Sequence, residues 1–167
     1  MIIIISILFS AFFSGMEIAY VSSNRFNLEI EKNQAGLIPK ILSTITKDPS
    51  RFISTMLIGN SFALVIYGLF MGQFIIDYLS FLFSPSMNEL TVLLLQTIIS
   101  TLLILIAAEF IPKVLFQIYS NFSMKIFSIP AYIFYIILYP VTGLVIIISN
   151  FILNTFFKVN TDDSEFS

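Results

Sequence analysis

The chain has no cysteine and no histidine, and charged residues fill only 11% of its 167 positions. Without cysteine there is no disulfide framework and no thiolate metal site. Without histidine the usual zinc and iron ligand is missing, and so is the usual general base. Any bound metal must be held by oxygen, which favours hard cations such as Mg²⁺, Na⁺ or Ca²⁺. The scarcity of charge excludes a soluble domain, because ordinary globular chains carry about 25% charged residues to cover their surface. Tryptophan is also absent while phenylalanine reaches 19, a compositional habit with no functional weight. No phosphate loop, nucleophile triad or nucleic-acid patch is present, so the sequence gives no reason to expect an enzyme or a nucleic-acid partner.

What the chain does have is apolar length. Residues of the apolar set make up 57% of it, and mean hydropathy is +0.97. The fold class expected is an all-α integral membrane domain whose principal partner is the lipid bilayer. Three spans are expected, at about 1–22, 52–79 and 90–113. The first lacks a basic leading segment and a small-residue cleavage site, so it reads as a span in preference to a cleaved signal peptide. Between the first two spans, residues 22–51 hold Arg25, Lys32, Lys40, Lys47 and Arg51, five of the eight basic residues. Phe26–Ile30 and Leu37–Leu42 there read as two short amphipathic helices near the membrane surface. The positive-inside rule makes this loop (23–51) cytoplasmic and puts the N-terminus outside. The connector near 80–90 has no Lys or Arg, as an external loop should, and Lys113 and Lys125 return the chain to the cytosol. The last apolar stretch, 124–157, is long enough to cross but is interrupted by Pro130, Pro140 and Gly143. A broken, re-entrant or surface-lying helix region is preferred over a crossing. An acidic tail, 158–167, follows.

Polar groups inside lipid cost roughly 2.5–3.5 kcal/mol each, so they mark candidate sites. Three clusters stand out: Ser14-Gly15-Met16-Glu17, Gly59-Asn60-Ser61, and Glu109 followed by Pro112-Lys113. Counting from Arg25 and Arg51 at about 1.5 Å per residue puts Ser14 and Asn60 at matched depth, roughly 14–16 Å in and near the midplane. A serine hydroxyl, an asparagine carbonyl and backbone carbonyls loosened by glycine would form an all-oxygen cage for a cation stripped of most of its water. Glu17 or Glu109 would add charge. Plain alternatives exist for each cluster. Small and polar residues often serve only helix packing, Glu17 could pair with Arg25, and Glu109 could pair with Lys113 one turn on. Ser6, Ser10, Gln96 and Ser100 read as interface-facing groups without a chemical role.

Phe12-Phe-Ser-Gly-Met-Glu-Ile-Ala-Tyr-Val-Ser-Ser-Asn-Arg25, Met56-Leu-Ile-Gly-Asn60 and Ala108-Glu-Phe-Ile-Pro-Lys-Val-Leu-Phe116 together resemble the membrane domain of the cyclin M / CorC family. The resemblance covers nearly the whole chain, residues 1–157. It implies a homodimeric magnesium transporter in the plasma (inner) membrane that exports Mg²⁺ against a Na⁺ gradient. It also implies three spans with a juxtamembrane belt after the third and a cytoplasmic C-terminus. The cation would lie between Ser14, Gly15, Gly59 and Asn60, with Glu109 the acidic residue of the third span. Glu17 and Ser61 would be secondary groups, and Pro112 and Lys113 would have a structural or hinge role. Family members often carry a second asparagine where this chain has Ser61. In the family a cytosolic pair of CBS modules normally follows; the chain ends at Ser167 without one. A regulator that senses Mg²⁺ without moving it is the competing expectation.

Overall fold

The computed structural model describes residues 1–82 and 88–157. All regular structure among them is helical. In chain order come α1 (Ile2–Ser22), α2 (Arg25–Lys32), α3 (Leu37–Ile45), α4 (Pro49–Leu82) and α5 (Glu89–Ile104). A π-helical turn (Leu105–Phe110) then leads into α6 (Ile111–Ile118), α7 (Ser120–Ile126), α8 (Ser128–Ile137) and α9 (Tyr139–Phe157). The connector residues 83–87 and the acidic tail 158–167 lie outside the described residues.

Local chemistry explains the boundaries. The Asn24 side chain accepts from the Phe26 amide at 2.9 Å and starts α2. Asp48 accepts from the Arg51 amide at 3.0 Å, and Pro49 fills the first position of α4, where a missing N–H costs nothing. That cap starts the second span three residues before the expected Phe52. Gly36, at φ +143°, makes the turn into α3.

Among the described residues, three helical stretches are long and apolar enough to cross a membrane: Ile2–Ser22, Pro49–Tyr78 and Glu89–Ile118. The third overruns its expected end at 113. Pro112 falls in the first turn of α6, directly after the π-helical turn, and does not stop the helix. The region from 124 onward is broken as expected, with a bend of 67° between α8 and α9 at Leu138. The details differ from the sequence reading. Pro130 and Pro140 sit in the first turns of α8 and α9, which tolerate proline, and Gly143 lies within α9 without interrupting it.

Helix α1 is the hub, packed against α4, the π-helical turn, α6 and α7. Toward its C-terminal half, Phe13, Met16 and Ala19 join Leu42, Phe52 and Met124 in one buried core. Toward its N-terminal half, Ile3 and Ile7 pack on a smaller cluster of Tyr67, Met71 and Ile75 from α4. α5 packs mainly against α4, and its span is almost entirely uncovered by the rest of the chain.

Candidate functional site: a polar seam between the first two spans

Helix geometry puts residues four apart on one face. Ser6, Ser10 and Ser14 follow that spacing, and all three are buried on the face of α1. Ser6 Oγ donates to the Ile2 carbonyl at 2.8 Å. Ser10 Oγ donates to Asn60 Oδ1 across the α1–α4 interface at 2.6 Å. Ser14 is wholly buried, and its Oγ has no hydrogen-bond partner. A buried hydroxyl without a partner costs about 1–3 kcal/mol, so Ser14 has an unmet capacity to bind.

The glycines set how closely the helices approach. A Cβ on Gly59 would stand 2.5 Å from Phe13 Cε1, so the ring lies directly on the α4 backbone. A Cβ on Gly15 would stand 2.7 Å from the ring of Phe116, so α6 closes over α1 in the same way. Phe13 is itself fixed by Phe12 and Phe134, with ring centroids at 5.2 and 4.9 Å. The two glycines thus bring three helices together around Ser14.

Glu109 lies in the π-helical turn, which packs against α1. The Ile111 amide donates to the Ile106 carbonyl, one residue beyond the α-helical register. Ala107 then has no donor in either register, because its α-helical partner Ile111 is taken and its π-helical partner Pro112 has no N–H. Both helical-register donors to this main-chain carbonyl, two residues from Glu109, are therefore lost. Such turns within α-helices recur at functional sites. The extra residue also rotates Glu109 relative to Lys113, and the two form no salt bridge. The ion pairs among the described residues are Glu29–Lys32, Asp48–Arg51 and Glu31–Lys125. Glu17, one turn below Ser14, is half-buried and feels the charges of both Lys113 and Glu109. It does not pair with Arg25.

Not every candidate joins this seam. Ser61 is exposed, and its hydroxyl donates to the Leu57 carbonyl at 2.9 Å on its own helix. Asn60 faces Ser10 directly, one turn of α1 from Ser14. Ser10, given no role from the sequence, therefore joins the seam, and the four-residue serine spacing is the signal that marks it. The Thr55–Thr142 hydroxyl contact, 3.1 Å and buried, also escaped the sequence reading; it ties α4 to α9 one turn from Gly59. No group of three or more His, Cys, Asp or Glu that could hold a metal occurs among the described residues. The donors available are hydroxyl, amide and main-chain oxygens with single carboxylates.

These features define a polytopic α-helical membrane domain with a buried polar seam at the contact of its first two spans. The chain belongs to the cyclin M family: the family model described as the Cyclin M transmembrane N-terminal domain matches residues 1–167. That places it in a membrane family related to divalent-cation transport. No curated protein matches the chain.

Proposed function

We propose that this domain moves Mg²⁺ across the membrane, with a Na⁺ gradient as the driving force, through a site built on Ser14, Gly15, Gly59, Asn60 and Glu109. The observation that carries the reading is the Ser14 hydroxyl, fully buried between packed helices and without a partner. The Ala107 carbonyl and the carboxylates of Glu17 and Glu109 supply the further oxygen and negative charge that a poorly hydrated Mg²⁺ requires. Ser10 is a positioning residue, since its bond to Asn60 Oδ1 fixes the amide. Breaking that bond would free the amide oxygen for the ion, so cation entry and helix separation are linked. Alternating access would then rock α4 against α1 around this point. The protein acts as a homodimer in the plasma membrane, with the N-terminus outside and the basic loop in the cytosol.

The test is Mg²⁺ flux from proteoliposomes with a trapped fluorescent indicator. A ligand to a charged group contributes about 1.5–3 kcal/mol, so Ser14→Ala and Asn60→Ala should each slow flux about 10–100-fold. Both proteins should remain monodisperse. Unchanged flux in both variants would refute the site. Absence of flux in the parent protein would favour the regulator instead.

A further inference from the structure

A second pocket lies at the basic end of the domain, away from the seam. It is about 400 Å³ and is enclosed by the end of α1, by α2 and by the start of α4. Arg25 and Lys32 line one wall, seven residues apart and so on one face of α2. The lining also has apolar members, Val21, Leu28, Pro49 and Ile53, of which Val21 and Ile53 lie near the basic ends of the first two spans. Val21 is 62% exposed.

The polar inventory of the pocket favours an anion. Arg25 makes no hydrogen bond or ion pair among the described residues, so all of its guanidinium donors are available. Lys32 spends one donor on Glu29 Oε1 at 2.6 Å and keeps two. Glu29 is the one acid in the lining and is taken by that contact. Ser23 and Thr46 spend their hydroxyl protons on the Tyr20 and Leu42 carbonyls, so the donors left for a bound anion are those of Arg25 and Lys32. The positive-inside bias accounts for basic residues in this loop, but not for two of them converging on a cavity that also has apolar lining residues.

We infer that this pocket binds the phosphate of an anionic phospholipid, with its acyl chains lying along Val21 and Ile53. Basic pockets at the ends of spans select such headgroups. The apolar lining distinguishes a lipid from free phosphate, which has nothing to place there. The site is independent of the transport reading, because none of its residues belongs to the seam.

Native mass spectrometry of the intact chain in detergent tests this, with equimolar phosphatidylglycerol and phosphatidylcholine added. Preferential retention of phosphatidylglycerol is expected. Arg25→Gln and Lys32→Gln should each lower that retention about five-fold, near 1 kcal/mol per cation, and leave phosphatidylcholine unaffected. Lys40→Gln, outside the pocket, should change nothing. An equal loss in Lys40→Gln would overturn the proposal in favour of a diffuse charge effect. Full retention in the double variant would overturn it outright, and displacement of the lipid by millimolar inorganic phosphate would reassign the pocket to a free anion.

Discussion

Replacing Gly59 with alanine adds a single methyl group where α1 and α4 approach closely. The new Cβ would lie 2.5–2.7 Å from three atoms of the Phe13 ring. Ordinary carbon contacts are about 3.5–4.0 Å, so ring or helix must retreat by about 1 Å. The ring has little freedom to do so, since Phe13 is buried and held by Phe12 and Phe134. Overpacking of this kind costs about 1–3 kcal/mol. At roughly 2–4 °C per kcal/mol for a chain of this size, the apparent midpoint of thermal unfolding should fall by about 2–12 °C. It can be followed as loss of the monodisperse size-exclusion peak after heating in detergent. Gly68→Ala is the matched control, because nothing lies within 4 Å of its Cβ position. It should be neutral, or stabilising by up to about 1 kcal/mol through helix propensity. Phe13→Leu in the Gly59→Ala background should recover part of the loss, since the smaller side chain makes room. Equal midpoints for Gly59→Ala and Gly68→Ala would refute the close approach of α1 and α4.

Ser10→Ala leaves Asn60 Oδ1 without its donor, which should cost about 1–3 kcal/mol by the same thermal assay. Combined with Asn60→Leu the loss should be less than additive, whereas full additivity would mean the two side chains do not interact. Pro112→Ala supplies an amide that can cap the Ala107 carbonyl. Thermal stability should hold or rise while Mg²⁺ flux slows, and unchanged flux would exclude that carbonyl from the ion path.

The spans were legible because they depend on composition. Runs such as Phe52–Leu79 have nowhere to go except lipid, and the basic cluster between Arg25 and Arg51 separates two of them. The α2 and α3 helices were legible from their amphipathic spacing, and the Asn24 cap fits the start of α2. Ser14, Gly15, Gly59 and Asn60 stood out as polar or small residues in apolar surroundings; Gly15 lies against Phe116, Gly59 against Phe13 and Asn60 against Ser10. Other features were hidden for a physical reason. The Ser6-Ser10-Ser14 spacing marks one face of α1, but which of these serines meets Asn60 depends on the axial offset of two antiparallel helices, which no local pattern encodes. The π-helical turn depends on the packing of Leu105–Phe110 against α1, which no residue type reveals, while Pro112 beyond it is visible but reads as the end of the span. For the same reason the third span was expected to stop at 113, and Glu109 and Lys113 were open to an ion pair that the changed register does not form.

The bond between Ser10 and Asn60 joins residues 50 positions apart. Ribosomes add about 5–20 residues per second, so Ser10 is made some 3–10 seconds before its partner exists. During that time α1 must stay in or beside the bilayer with its serine row unmatched by any other helix. Its mean hydropathy of 2.1 makes that wait tolerable, and hydroxyls can bond back to their own helix as Ser6 does. Assembly of the seam is therefore a late event in biogenesis, set by the arrival of α4. Substitutions that lower the hydropathy of α1 would act first on yield, before any effect on ion binding could be measured.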